Sequence, residues 1–160
     1  MLSTTRRRAQ AAGLTLLMAL VIALPAHAQN EDVRTARGQA VISELSAGAG
    51  QPVLETMRRE VPQLGDAILK YALGDVFGSG VLDIRTRQIA AVAAFAAQGQ
   101  LAYLKVHAGY ALNHGVTPQE LLDVALMTTV TAGFPRAIDA AQALRDLFAE
   151  RGIALPVANR

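Results

Sequence analysis

Three side chains near the middle of the chain have the types and spacing that proton-transfer chemistry needs. Tyr103 and His107 are four residues apart, so a helix would place a phenol beside an imidazole on one face. Histidine ordinarily titrates near neutral pH, which suits a general acid or base. Arg87 could hold a substrate carboxylate through a bidentate pair of hydrogen bonds. Together these residues predict a small pocket that binds an acid and transfers a proton.

The same residue types also have structural interpretations, which the sequence leaves open. A single histidine on a mostly apolar helix is more often a hydrogen-bonded core residue than a catalyst, and Arg87 could instead pair with Asp83 or Glu120. His114 directly precedes a glycine, where an imidazolium would interact favourably with the negative end of a helix. Two helical turns separate the two histidines of this stretch, which is too far for one metal ion without further ligands. No metal site is predicted.

The first 28 residues have the pattern of a secretory signal peptide. Arginines at positions 6–8 form a basic region, an apolar run extends from Leu14 to Leu24, and Ala26-His27-Ala28 is a small-x-small cleavage site. Cleavage there would leave a mature chain that begins at Gln29, without a membrane anchor, in the periplasm or outside the cell. The apolar run is shorter than the roughly 20 residues of a membrane-spanning helix, so a retained anchor is the less favoured alternative. The choice between general and twin-arginine export stays open.

Composition excludes two classes of function. The chain has 15 Lys and Arg against 13 Asp and Glu, and three of the arginines lie in the signal, which leaves 12 against 13. A nearly neutral mature chain lacks the dense basic face that a nucleic-acid partner requires. The chain has no cysteine, so thiol peroxidase chemistry is excluded, and packing must hold the fold without disulfides.

The mature chain has helix signals almost throughout and no convincing strand alternation, which predicts an all-α fold. Residues 29–50 are interpreted as an N-terminal arm or outer helix with a glycine-containing linker, and residues 51–160 as one domain. The predicted helices run from Glu31 to Leu45, from Pro62 to about Val76, from Asp83 as N-cap to about Ala97, from Gln100 to Asn113, from Thr117 as N-cap onward, and from Pro135 to Arg151.

Two of these helices carry further expectations. The stretch from Ile89 to Ala97 has almost no polar residue, which predicts a helix that is buried on every side. The helix that follows Thr117, with Pro118 and Glu120, has the signature of a capping box. It shows two apolar sides, which predicts a subunit interface in addition to a core face.

Three stretches of this sequence are typical of one family: Leu82-Asp83-Ile84-Arg85-Thr86-Arg87, the stretch from His107 to Glu120, and Gly133-Phe134-Pro135. They resemble the carboxymuconolactone decarboxylase family, which also contains the AhpD-type alkylhydroperoxidases. The resemblance covers roughly Pro62 to Glu150. It implies an all-α, AhpD-like helical domain that assembles as a homotrimer or hexamer, with pockets at or near the subunit contacts.

The resemblance also implies a chemistry. In the peroxidase branch two cysteines precede the equivalent histidine by seven and four positions, where this chain has Gln100 and Tyr103. The decarboxylase branch is similar to this chain in having the histidine without the cysteines, and it needs no cofactor or metal. By that resemblance His107 is the acid that returns a proton to carbon after carbon dioxide leaves, and Arg87 holds the substrate anion.

Two departures keep a second interpretation open. Gln88 stands where many relatives have a glutamate that relays protons, and a neutral amide cannot take that role. An exported protein would also be separated from a lactone that is normally formed inside the cell. The chain is therefore either an exported, cofactor-free lyase that acts on a small carboxylated lactone or unsaturated acid, or a non-catalytic oligomer that binds a small molecule or retains only its interface. If His107 packs against leucines with no cavity beside it, the lyase interpretation fails.

Overall fold

The computed structural model describes residues 26–155, which are helical and contain no strand. The elements are α1 (Ala26–Leu45), α2 (Pro52–Glu60), α3 (Pro62–Asp66), a π helix (Ala67–Phe77), α4 (Ile84–Gln98), α5 (Leu101–Asn113), α6 (Pro118–Ala132) and α7 (Phe134–Glu150). The all-α prediction is confirmed. The predicted signal peptide, except for its last three residues, lies outside the described range and stays a prediction. Within residues 26–155, none of the helices has the length and apolar character needed to cross a membrane.

Local sequence signals set the ends of α4 and the start of α6. The Asp83 carboxylate accepts a hydrogen bond from the Thr86 backbone N–H at 2.8 Å and caps α4. Gly99, with φ of 70°, ends the same helix in the left-handed region that glycine adopts without strain. Thr117 and Glu120 form the predicted capping box at the start of α6. The predicted Asp83 cap and the predicted capping box are confirmed.

Two features of the first half differ from the sequence expectations. Helix α2 was not predicted, although Pro52 stands in its first turn and the Gln51 side chain accepts a hydrogen bond from the Leu54 N–H at 3.0 Å. The single helix expected from Pro62 is instead one α-helical turn, α3, followed directly by the π helix. Extended π helices are rare, and shorter π segments occur often at functional sites.

The apolar residues form two clusters. The main core comprises buried residues of α4 to α7, among them Val92, Leu104, Leu121, Leu144 and Phe148. The second cluster joins α1, α2, the π helix and α5, and its buried members are Ile42, Leu45, Leu54, Leu69, Leu73 and Tyr110. Because α5 contributes to both clusters, it connects the two halves of the chain.

The π helix packs closely on α1 because both carry glycine at the crossing. A Cβ atom on Gly38 would lie 2.1 Å from the Leu69 carbonyl oxygen, and one on Gly74 would lie 2.6 Å from the Arg34 carbonyl oxygen. Beside this contact, the Arg34 side chain forms an ion pair with Asp75. Residues of the predicted N-terminal arm therefore form one wall of the second cluster, while the boundary predicted after residue 50 stays a prediction.

The expectation that α4 is buried on every side is wrong for the single chain. Val92 and Ala96 are fully buried, but Ala90, Ala93 and Ala94 are exposed, because α5, α6 and α7 cover only one side of the helix. On α6, Leu121 is buried and Leu126 is exposed, so its two apolar sides have different environments.

Candidate functional site

A cavity of about 350 Å³ lies within the second cluster. Its walls come from α1, α2, α3, the π helix and α5, and this volume lies at the lower end of the roughly 300–1,000 Å³ typical of small-molecule sites. Most lining residues are aliphatic or aromatic, and none of those described in this structure is charged. The polar ones are Gln51, Tyr103, His107 and Tyr110.

His107 reaches this cavity from the middle of α5 and is enclosed by aromatic rings. Its imidazole lies 5.1 Å from the Phe95 ring and 6.1 Å from the Phe77 ring, measured between centroids. The Tyr110 ring meets it edge-on at 5.8 Å. These contacts fix the plane of the imidazole at the wall of the cavity.

The interior nitrogen of His107 is bonded to Gln88. The Nδ1–H donates to the Oε1 of Gln88 at 2.8 Å, and Gln88 is fully buried on α4. Within residues 26–155, no protein group hydrogen-bonds the other ring nitrogen, Nε2. Nε2 is therefore available to a molecule in the cavity.

Burial determines the protonation state of this histidine. Desolvation lowers the pKa of His107 to about 4, because no anion is placed nearby to offset the loss of water. Burial likewise raises the pKa of Tyr110 to about 12, so its phenol stays protonated. At neutral pH the site therefore offers the neutral imidazole of His107 and the protonated phenol of Tyr110.

The structure brings Tyr103 together with His107, as their spacing predicted. Tyr103 lines the cavity while about half of its surface is exposed, and its ring lies 5.6 Å from Phe95. Among the described residues its hydroxyl has no hydrogen-bond partner. It lies at the solvent side of the site, where a ligand entering the cavity would pass it.

Arg87 is not brought to the His107 cavity. Its Nη1 donates to the carbonyl oxygens of Val76 at 2.6 Å and Phe77 at 2.7 Å, and its Nε donates to the Leu82 carbonyl at 2.7 Å. The guanidinium thus holds the C-terminal carbonyls of the π helix, where a cation is favourable. It pairs with neither Asp83 nor Glu120, which the structural alternative had proposed.

The part of the chain that carries His107 is similar to known proteins. The profile of the Carboxymuconolactone decarboxylase family matches residues 62–146. A 4-carboxymuconolactone decarboxylase from Acinetobacter baylyi is 30% identical over 93 residues, which cover 58% of this chain and 69% of that protein. The chain belongs to the carboxymuconolactone decarboxylase family.

The family match divides the cavity wall into two parts. His107, Gln88, Tyr103 and the π helix lie inside the matched residues, whereas α1 and α2 precede them. The wall formed by α1 and α2 includes Ile42, Leu45, Gln51, Val53, Leu54 and Met57. In this family member the histidine is thus on a shared scaffold, and one part of the cavity wall comes from outside the matched segment.

The partner of Glu120 also differs from expectation. Its carboxylate pairs with Arg85 of α4 and accepts a hydrogen bond from the Thr117 backbone N–H at 2.8 Å. The Thr117 backbone N–H first, and then the Arg85 guanidinium, lower the pKa of Glu120 to about 2. This cluster joins α4 to α6 and contributes nothing to the lining of the His107 cavity.

Two polar residues of the cavity were missed as site candidates. Tyr110 follows His107 by three residues, a spacing that places it on the same helix face, and this signal was available in the sequence. Gln51 precedes the unpredicted helix α2, so nothing in the local sequence indicated its place. Gln88 was identified as a departure from the family pattern, but its contact with His107 required the structure.

The described residues also bear on metal binding and on His114. Within residues 26–155, no group of three or more His, Asp or Glu side chains has the geometry to hold a metal ion.

His114 follows the last residue of α5, and its Nε2 lies 3.2 Å from the Glu44 carbonyl oxygen. It does not line the cavity and serves as a matched control for His107.

Proposed function

We propose that this protein is a cofactor-free enzyme of the decarboxylase type that transfers a proton at His107, on a small carboxylated lactone or related unsaturated acid. The observation that carries the proposal is the position of the imidazole. Gln88 holds Nδ1, aromatic rings fix the ring plane, and Nε2 remains unpaired at the wall of a cavity of about 350 Å³.

In this proposal the substrate supplies the charge that activates the histidine. A carboxylate that enters an uncharged cavity raises the pKa of the neighbouring imidazole, so His107 takes up a proton as the substrate binds. The bond between the carboxyl carbon and the ring then breaks and carbon dioxide leaves. The electron pair of the broken bond moves into the conjugated carbonyl. The imidazolium returns its proton to carbon, which regenerates the neutral imidazole.

The phenols of Tyr103 and Tyr110 take the role of hydrogen-bond donors to the substrate carbonyl. Both line the cavity, and neither hydroxyl has an internal partner among the described residues. A donor directed at the oxygen where charge develops lowers the barrier most in a site that excludes water. Arg87 was expected to hold the anion, and in this proposal it instead supports the end of the π helix.

A second candidate function is supported by the absence of charge in the lining. The described lining residues include no cation to bind a carboxylate, and Gln88 cannot relay a proton. A non-catalytic member of the family that binds a small apolar molecule would need only the cavity itself. This alternative differs from the enzyme in one measurable respect, because it predicts binding without turnover.

Export and assembly belong to the same proposal. Cleavage after Ala28 would release the mature protein into the periplasm or the medium, and N-terminal sequencing of the exported form should then begin at Gln29.

We also propose a homotrimer or hexamer, because α6 and α7 expose Leu126, Val130, Phe134 and Ile138 side by side. Light scattering of the purified protein tests this assembly.

The decisive experiment is turnover of 4-carboxymuconolactone and a panel of unsaturated lactone acids, followed by loss of absorbance. The full chain is compared with His107→Ala and with His114→Ala as a matched histidine control. We expect turnover in the full chain and in His114→Ala, and none in His107→Ala. Turnover that survives in His107→Ala contradicts the assigned role, and a folded chain that binds the panel without turnover supports the second function.

The pH profile distinguishes the direction of proton transfer. If His107 acts as an acid that is protonated together with substrate binding, kcat/KM falls about tenfold per pH unit as pH rises through the neutral range. If neutral His107 acts as a base, kcat/KM rises through pH about 4, the pKa of His107 in the free protein, and is flat above it. A flat profile near neutrality therefore contradicts the acid role.

A further inference from the structure

Gln88 has an unusual position for a polar side chain. It is fully excluded from solvent, and its Oε1 accepts the Nδ1–H of His107. Its amide nitrogen is buried with no hydrogen-bond partner among the described residues. An unpaired buried donor costs about 1–3 kcal/mol, and an apolar side chain of similar shape would avoid that cost. The contact with His107 is the one feature of this position that an apolar residue would not provide.

The contact determines which nitrogen of the imidazole carries the proton. A neutral imidazole has one N–H and one lone pair, and the partner of the first nitrogen fixes the character of the second. Because Nδ1 donates to the Gln88 carbonyl, Nε2 carries the lone pair and faces the cavity as an acceptor. A reversed amide would donate to Nδ1 and would make Nε2 a donor instead.

The surroundings offer no charge that would alter this state. The groups that face His107 are Phe95 and Gln88 from α4, Phe77 from the π helix, and Tyr103 and Tyr110 from α5. The walls from α1 and α2 add aliphatic side chains, Met57 and Gln51. The titratable groups among them are the two phenols, which we treat as hydrogen-bond donors. They do not compete with Gln88 as the acceptor of the Nδ1–H of His107.

We infer that Gln88 is a positioning residue that makes His107 a hydrogen-bond acceptor toward the cavity, and that the cavity therefore selects ligands with an acidic O–H group. Such a ligand is a carboxylic acid that binds together with its proton, an enol or a phenol. The O–H of an enol or phenol donates to Nε2, and a carboxylic acid passes its proton to Nε2, as in the proposed function. The apolar part of the ligand packs against the aliphatic wall of α1 and α2. This ligand class rests on the proposed function, whereas the tautomer of His107 does not.

Nitrogen-15 spectra of histidine-labelled protein at pH 7 test the tautomer without any need for turnover. His107→Ala assigns the signal, and we expect the protonated nitrogen to be Nδ1. In Gln88→Met, which matches the shape but has no amide, we expect this preference to be lost while the free energy of unfolding stays equal or rises. In Gln88→Glu we expect Nδ1 to stay protonated and the pKa of His107 to rise, because a carboxylate replaces the amide.

Two results would overturn the positioning role. Protonation at Nε2 in the unsubstituted chain would mean that the amide donates and that the cavity sees a donor. An unchanged tautomer in Gln88→Met would mean that Gln88 does not set it. A purely structural residue would instead destabilise the fold on substitution and leave the nitrogen signals in place.

Matched ligand pairs test the selected chemistry. We expect 4-ethylphenol to bind about tenfold more tightly than 4-ethylanisole, and crotonic acid to bind about tenfold more tightly than methyl crotonate. Calorimetry in two buffers of different ionisation enthalpy should detect uptake of about one proton with crotonic acid at pH 7 and none with the phenol. Equal affinity within both pairs, or no binding of either O–H compound, overturns the ligand class while the spectra still decide the tautomer.

Discussion

The two faces of α5 show how one helix serves both a dense core and a hollow site. On one face Leu104, Ala108 and Ala111 are fully buried in the main core, packed against neighbouring helices. On the other face Val106, His107 and Tyr110 meet the second cluster, where a cavity of about 350 Å³ remains. The difference lies in the partners of the helix, because the helix itself is regular along its length.

The partners differ in how completely they can fill space. The main core is made by long helices whose alanines let backbones approach, so aliphatic side chains fill the gaps. The second cluster is made by a π helix that is held close to α1, and by the short helices α2 and α3. Fixed spacing on one side and a short helix on the other leave a volume that the side chains do not fill.

The largest expected effect comes from truncating the same residue type on each side. Leu104→Ala in the main core should lower the free energy of unfolding by about 3–5 kcal/mol, since it creates a new cavity. Leu73→Ala, at the cavity wall, should cost about 2 kcal/mol, the lower end of the range for leucine truncation, since it enlarges a space that already exists. Urea unfolding of both variants measures the difference, and equal losses would show that the second cluster is packed as tightly as the main core.

The second expected effect depends on pH and isolates the cavity side. The pKa of His107 is lowered from 6.5 to about 4 in the fold, so the unfolded chain binds the proton first as pH falls. The stability from neutral His107 is therefore present above pH 6.5 and is lost as pH falls toward about 4, by about 3 kcal/mol in total.

His107→Leu has no such titration and provides the reference. Urea unfolding from pH 7 to pH 4 should show the unsubstituted chain losing more stability than His107→Leu across this window. Parallel curves for the two proteins would mean that His107 is solvated in the fold, and the proposed proton uptake on ligand binding would lose its basis.

The sequence predicted the ends of α4 and α6 better than the cavity, for physical reasons. The ends of α4 and α6 depend on Asp83, Gly99 and Thr117, whose effects act within a few residues of the chain. The cavity depends on contacts between distant residues, such as the bond between Gln88 and His107, which are 19 residues apart. No local pattern encodes such a contact.

The π helix and Arg87 show the same limit. Hydrogen bonds in a π helix span five residues instead of four, and over Ala67–Phe77 both patterns bring apolar residues to one side. Arg87 was a reasonable anion holder by residue type, but the carbonyls that end the π helix lie within its reach. Their position became visible only once the π helix and α4 were packed together.

The third prediction concerns the contact that keeps the cavity side in place. Replacing glycine by alanine inside a helix ordinarily stabilises it by roughly 0.5–1 kcal/mol. Gly38→Ala should instead destabilise the fold by about 1–3 kcal/mol, because the new Cβ would lie 2.1 Å from the Leu69 carbonyl oxygen. The exposed neighbour Gln39 provides the control, since Gln39→Ala should change the midpoint of urea unfolding little. A stabilised Gly38→Ala would contradict the close approach of α1 and the π helix.

The smallest expected effect compares one helix cap from each region. Thr117→Ala removes the side-chain acceptor for the Glu120 backbone N–H and should cost about 1 kcal/mol. Gln51→Ala removes the acceptor for the Leu54 N–H on the cavity side and should cost only a few tenths of a kcal/mol, since glutamine is not a favoured cap residue.

A pH series sharpens this last comparison, because the Thr117 cap includes the Glu120 carboxylate and the Gln51 cap includes none. The pKa of Glu120 is lowered from 4.5 to about 2 in the fold, so its stabilisation is complete above pH 4.5 and is lost as pH falls toward about 2. The free energy of unfolding of Glu120→Gln should therefore approach that of the unsubstituted chain as the medium is acidified. The difference in free energy of unfolding between Gln51→Ala and the unsubstituted chain should stay constant over the same range. A deficit of Glu120→Gln that does not change with pH would mean that the capping box and Arg85 do not hold the charged carboxylate, and that α4 and α6 are joined by apolar packing alone.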